Sequence, residues 1–178
     1  MSNGAKYFFE KRPFMEQKKF KILAVGTSDP GKVPVWVGYI KTFIEKRSEV
    51  RDIASMDIIS PKILKSFKET LPAIQAENPD MITFTPHEDW NTEELIDLCQ
   101  QVKAWKNIPV VICAENPRNR LQRDAAEQSK AVDYIIHGEA EYPLEALVKA
   151  YAENLEEIPE FSNMLCLTNG KKIAAAAL

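Results

Sequence analysis

The chain has 178 residues, of which 45% are hydrophobic and 28% charged, and its net charge is −3. That length suits one domain burying roughly 70% of its unfolded surface, and the mild acidity argues against a dedicated nucleic-acid binder, which shows a basic face. No apolar run reaches the length of a membrane span. The start, Met1-Ser-Asn-Gly-Ala-Lys6, lacks the apolar core of a secretion signal, so the chain is expected to be cytoplasmic, with no nucleic-acid or membrane partner. Cys99, Cys113 and Cys166 are too widely spaced for a disulfide framework or a zinc site, and no three-cysteine motif is present to hold an iron–sulfur cluster.

Residues 1–19 read as an N-terminal arm in which Tyr7, Phe8, Phe9 and Phe14 mix with charges and show no sustained period. From Phe20 the pattern alternates strand and helix. Lys21–Gly26 reads as a short buried strand, and Trp36–Arg47 as a helix with Trp36, Tyr39, Ile40, Phe43 and Ile44 at helical spacing. The second strand lies within Val50–Ile59. Ile63, Leu64 and Phe67 then mark one side of a short helical stretch, and a further helix is expected to start at Pro72 behind a Thr70 cap.

Met81–Thr85 reads as the third strand. The third helix starts at Asn91, with Glu94 as cap partner and Leu95, Leu98, Val102 and Trp105 turned inward. Ile108–Cys113 is a near-continuous apolar run, as expected of a strand buried on both faces. A weaker helix over Asn119–Ala131, a fifth strand at Val132–Ile136 and a helix over Pro143–Leu155 follow. Asn169-Gly170 carries a strong hairpin signal between Leu167 and Ile173. The fold expected is therefore α/β: a doubly wound, five-stranded parallel sheet of flavodoxin-like order 2-1-3-4-5, ending in a β-hairpin. Residues 20–173 make that domain, and Ala174–Leu178 looks like a cloning scar on an excised piece.

In such a sheet ligands sit beyond the carboxyl ends of the strands, so the outgoing loops are the residues to weigh. The first is Gly26-Thr27-Ser28-Asp29-Pro30-Gly31-Lys32, then Val33-Pro34-Val35-Trp36. Its hydroxyls and the Gly31 amide suit a phosphate or an amide-rimmed ligand, or they form a polar turn. The spacing is not that of a phosphate-binding P-loop. Trp36 either lies against a flat cofactor or packs under the sheet.

Thr83 and Thr85 flank Phe84, so both hydroxyls share one face of the third strand's end and need a partner there, a ligand or a backbone carbonyl. His87 in the next loop is a solvated histidine or, less simply, a metal ligand. Cys113, Ala114 and Glu115 end the fourth strand with small side chains that admit a large ligand or pack under a neighbouring loop; no base accompanies the cysteine for nucleophilic use. Gly138 permits a tight turn with its amide facing a ligand, and Glu139 can accept from amide donors. The alternative is an acidic helix start favoured by the macrodipole.

The stretch Asp133-Tyr-Ile-Ile-His-Gly-Glu-Ala-Glu141 resembles the "D-x-x-x-x-G-E-G-E" pattern of the cobalamin-binding domain that precedes the catalytic barrel in cobalamin-dependent radical S-adenosylmethionine enzymes, with Ala140 in place of the second glycine. Asn78-Pro-Asp-Met81 and Ile108-Pro-Val-Val111 resemble the leads into that domain's third and fourth strands. Cys113-Ala114 stand where the family commonly has Gly-Gly, and Thr83 or Thr85 near its "Ser-x-Leu".

The resemblance implies a cobalamin site at Thr27, Ser28, Asp29, Gly31, Pro34, Trp36, Thr83, Thr85, Cys113, Ala114, Glu115, Gly138 and Glu139. It implies base-off, histidine-off binding, because Asp29 is followed by Pro30, Gly31 and Lys32, with no ligating histidine in that loop. The resemblance also implies a downstream radical S-adenosylmethionine domain, of methyltransferase type, that would bring S-adenosylmethionine and the iron–sulfur cluster; this chain alone is expected to hold the cofactor without turnover. Two other readings stay open. One is an interaction or signalling domain on the same scaffold, although a phosphoacceptor receiver wants an aspartate where Thr85 stands. The other is a flavin or nucleotide binder using Thr27 and Ser28.

Overall fold

The structure is a computed structural model that describes residues 18–26, 35–59, 67–86, 91–114, 120–167 and 172–173. The aromatic arm, Ile63, Leu64, the Asn169-Gly170 turn and the alanine tail lie outside the described residues. The elements alternate as expected: β1 (Phe20–Gly26), α1 (Val35–Lys46), β2 (Ala54–Ile59), α2 (Phe67–Glu77), β3 (Met81–Thr85), α3 (Thr92–Trp105), β4 (Val110–Ala114), α4 (Arg120–Ser129), β5 (Tyr134–His137) and α5 (Glu141–Ala152). Three short strands follow, β6 (Glu157–Ile158), β7 (Met164–Cys166) and β8 (Lys172–Ile173). The main sheet has the order β2-β1-β3-β4-β5-β7, parallel except for β7.

β3 and β4 are buried at every position, which is why both read as unbroken apolar runs. Side chains alternate between two cores. Ile22, Ala24, Met81, Val111, Cys113, Tyr134 and Ile136 face Val37, Ile40 and Ile44 of α1 and Leu144, Leu147 and Val148 of α5. Leu23, Val25, Ile82, Phe84, Val110, Ile112 and Ile135 face Ile74 of α2, Leu95, Leu98 and Val102 of α3, and Ala126 of α4. α3 starts where its sequence directs: the Asn91 side chain accepts from the amides of Glu93, at 2.9 Å, and Glu94.

The amino end of β5 is fastened by Asp133, which is 1% exposed. Its Oδ2 accepts from the Val110 amide at 2.6 Å and pairs with Lys103 Nζ of α3 at 2.6 Å. Its own amide donates to the Val110 carbonyl, and its carbonyl accepts from Leu167. Burial raises the Asp133 pKa, opposed by Lys103 and the Val110 amide. At the far edge of the sheet, Lys41 and Glu45 of α1 form a pair whose ammonium donates to the Met56 carbonyl and whose carboxylate accepts from the Met56 amide at 3.1 Å. Polar groups of an edge strand that would otherwise invite another chain are thereby occupied. Burial pushes the Glu45 carboxyl up, but Lys41 and the Met56 amide together hold it below the ordinary range.

Four local expectations are corrected. The C-terminal hairpin is replaced by a split: β7 joins the main sheet antiparallel to β5, whereas β8 pairs parallel with β6 in a separate two-stranded sheet. β6 lies on the stretch that climbs from Glu153, below α5, back to Asn163 beside the carboxyl end of β5. Pro72 lies inside α2 rather than opening it, at the loss of one backbone hydrogen bond, and Thr70 is a buried helical residue rather than a cap. Tyr39 is 53% exposed and so lies outside the core stripe of α1, and the helix expected to run to Leu155 ends at Ala152, with Leu155 41% exposed.

Replacing Asp133 with alanine should leave the Val110 amide unmet and the part-buried Lys103 ammonium without its carboxylate, and cost about 3 kcal/mol, read from urea unfolding. Asp133→Asn should cost clearly less, because a neutral acceptor avoids the burial cost of the charge. The sign of the pH effect follows: stability linked to Asp133 is complete below the ordinary aspartate range and falls as pH rises through its raised value. The asparagine variant should lack that component. Equal losses for both variants across that window would contradict this account.

Candidate functional site

The order of the sheet reverses at β1: the chain passes from β1 to β2 on one side and then to β3 on the other. The crevice beyond the carboxyl ends of β1 and β3 is the usual binding position in such sheets. Gly26 and Thr85, the last residues of those strands, stand opposite each other. Thr83 stands between Ala24 and Val111, and Thr85 follows on the same face, towards α1 and α5. Both threonines are buried, at 2% and 8% exposure. The sequence therefore places two hydroxyl-bearing residues at the switch point, on the face that carries the apolar Ala24 and Val111.

On β4, Cys113 faces the α1/α5 core, and its neighbour Ala114 turns to the other side. Burial, followed by the nearby Glu141 carboxylate, pushes the Cys113 thiol up to about 12. It is a neutral thiol at physiological pH, suited to packing rather than attack or metal ligation. The Cys99 thiol is pushed up as well, by burial first and Asp133 second. Trp36 in the first turn of α1 is half-buried and packs against the α1/α5 core.

The β5–α5 turn closes the rim. Gly138 has a φ of +69°, the left-handed region that disfavours side chains, while a Cβ there would meet nothing within 4 Å. The glycine is thus demanded by backbone conformation, and its open side is free space. Its amide donates to the Ala114 carbonyl at 2.9 Å, so this N–H, expected to face a ligand, is used to join the turn to β4. Glu139 is exposed. α5 begins without a side-chain cap, since Ala140 stands at that position, and Pro143 in its first turn needs no donor. Glu139 and Glu141 set negative charge beside these first amides, an environment that favours a neutral hydrogen-bonding ligand over a phosphate.

Asn163, just before β7, was not singled out by sequence. Its Nδ2 donates to the His137 carbonyl at 2.9 Å and to the Glu139 carbonyl at 2.6 Å, and its carbonyl accepts from the His137 amide at 2.8 Å. The available signal was a lone amide side chain immediately before the apolar Met164-Leu165 pair. Of the expected site residues, Trp36, Thr83, Thr85, Cys113, Ala114, Gly138 and Glu139 are placed on or next to the carboxyl edge of the sheet. Thr27, Ser28, Asp29, Gly31, Pro34 and Glu115, with His87, lie outside the described residues. Among the described residues no helix is long and apolar enough to cross a membrane.

No family model matches the chain, and no curated protein matches it. Solved structures do share its fold. The cobalamin-dependent S-adenosylmethionine radical enzyme OxsB with aqua-cobalamin bound is 14% identical, with a TM-score of 0.65 over 90% of this chain and 23% of that one. The radical S-adenosylmethionine methyltransferase TsrM from Kitasatospora setae, with tryptophan substrate and an S-adenosylmethionine analogue, is 16% identical, with a TM-score of 0.62 over 85% of this chain and 29% of that one. A CheY-like protein, tadZ, from Pseudomonas aeruginosa is 14% identical, with a TM-score of 0.51 over 72% of this chain and 98% of that one. The chain spans about a quarter of the length of the two radical enzymes. The flavodoxin-like α/β class expected from sequence is the class observed.

Gly138→Ala should lower stability by about 1–2 kcal/mol through backbone strain alone, since there is room for the methyl group. Thermal unfolding of the apo protein checks this. In a native alkylation time course read by mass spectrometry, Cys166, which is half-buried, should label first. Cys99 and Cys113 should react only as fast as the protein opens. Rapid native labelling of Cys113 would refute its placement in the core.

Proposed function

We propose that this chain binds cobalamin at the carboxyl edge of its sheet, as the cofactor module of a radical S-adenosylmethionine enzyme of methyltransferase type. The observation that carries the reading is the composition of that edge at the switch point. Gly26 and Thr85 end level, Thr83 and Thr85 are buried, Cys113 and Ala114 are small and uncharged, and Gly138 presents a shelf to open space. A corrin ring is a broad disc rimmed with neutral amides. Its fit asks for backbone that can be approached closely, scattered hydroxyl and carbonyl partners, and no buried charge. The described part of the rim has these properties, and the acidic pair Glu139 and Glu141 disfavours a phosphate-rich ligand on the same turn.

When bound, cobalamin supplies an alkyl group for transfer through its cobalt. The residues of this chain then have positioning roles. Thr83 and Thr85 offer hydroxyls at the crevice, Gly138 admits the ligand's edge, and Trp36 stands at the start of α1 beside the outgoing loop. We read the binding mode as base-off and histidine-off: the chain has two histidines, His87 and His137, and neither belongs to the loop after β1. The S-adenosylmethionine and iron–sulfur sites belong to the remainder of the proposed parent enzyme. Support comes from the sequence resemblance at Asp133–Glu141 and from the shared fold of the two radical enzymes.

One observation favours a second reading. The CheY-like tadZ is matched over 98% of the solved chain, so there the same scaffold stands with almost nothing beside it. On that reading the chain is an interaction domain without cofactor. Thr85 at the end of β3 removes the aspartate that a phosphoacceptor would need.

Incubation with hydroxocobalamin followed by desalting should leave the corrinoid's visible absorbance with the protein in near-equal stoichiometry. Thr85→Val should weaken binding about tenfold, as expected for one lost hydrogen bond in a closed site. A folded protein that retains no absorbance leaves the interaction-domain reading standing and ends the cobalamin one.

A further inference from the structure

We propose that Asn163 is a positioning residue for the ligand site, holding the Gly138–Glu139 turn in its binding-ready shape; this rests on the cobalamin reading above. The geometry is specific to an asparagine. Its side-chain amide carries two N–H donors, and each meets a carbonyl on a different side of Gly138: His137 at 2.9 Å and Glu139 at 2.6 Å. Its backbone carbonyl takes the His137 amide at 2.8 Å, closing a third bond to the same turn.

The turn needs an external clamp. Gly138 is the position with most backbone freedom, it sits at a φ of +69°, and a Cβ there would touch nothing that could restrain it. Ala140, at the start of α5, contributes no side-chain cap. Within the turn the Gly138 amide is held on the Ala114 carbonyl. Asn163 adds bonds on both flanks, from a segment 24 to 26 residues further along the chain. A ligand seated on this turn then meets a preformed surface and avoids the cost of ordering a glycine loop. The lead-in to the antiparallel strand β7 thus has a task at the site, although that strand lies at the opposite edge of the sheet from β2.

The test uses the whole chain in four versions: wild type, Asn163→Ala, Asn163→Asp and the exposed control Glu160→Ala. In the apo proteins, amide hydrogen exchange followed by NMR reads the clamp directly. The Gly138 amide should exchange about tenfold faster in Asn163→Ala, with Ile112 and Ile135 in the sheet unchanged. Cobalamin titration of the same proteins should show affinity about five- to tenfold weaker for Asn163→Ala and for Asn163→Asp at neutral pH, and unchanged for Glu160→Ala. A carboxylate has no donor, so Asn163→Asp should recover part of its affinity as it protonates on titration to about pH 4, relative to wild type at that pH, while the alanine variant does not.

Unchanged Gly138 exchange in the alanine variant overturns the proposal. So does a rise shared by Ile112 and Ile135, which would mark general destabilisation, or equal affinities in all four proteins. If wild type itself takes up no cobalamin, the ligand reading fails and the binding half of this proposal falls with it, while the exchange result still decides whether Asn163 holds the turn.

Discussion

The structure depends most on how β5 is registered against β4, and Asp133 sets that register. One buried carboxylate takes a backbone amide of β4 and an ammonium from α3, while the backbone on either side of it joins β4 and the residue after β7. Lys103 also donates to the Ile108 carbonyl at 2.7 Å, tying α3 to the lead-in of β4. A slip of one residue would turn every side chain of β5 to the other core. It would also displace Gly138 from the level of Ala114. The shape of the rim is thus decided at the opposite end of the strand, about 3.3 Å per residue away.

This gives the motif around Asp133 two separable parts. The sequence pattern joins Asp133 to Gly138 and Glu139 as one signature, yet the aspartate is an anchor at the amino edge and only the glycine and glutamate stand near the candidate site. The residues of such a pattern need not share a ligand. They share a strand whose length and register couple the anchor to the turn.

The parallel core was legible because its signals are local and redundant. β3 and β4 are continuous apolar runs, α3 has an asparagine cap and inward leucines, and α5 repeats Leu144, Leu147 and Val148 on one side. The split of the C-terminal ribbon was not legible. Asn169-Gly170 is a strong turn signal, but partner choice was decided by remote bonds, from Leu167 to Asp133 and from His137 to Asn163, which no local pattern records. Pro72 misled for a related reason: a proline ordinarily marks a helix start, and here tertiary packing of Ile74 outweighs one lost backbone bond. Half of the candidate site was legible as residue types on particular strand ends. The clamp at Asn163 was not, because its meaning lies in two carbonyls far away in sequence.

The partner of β8 has a practical consequence. It pairs with β6 in a sheet of its own and, among the described residues, makes no ladder with β7, its neighbour in sequence. A truncation ahead of Lys172 would therefore unpair β6 while leaving every ladder of the main sheet in place.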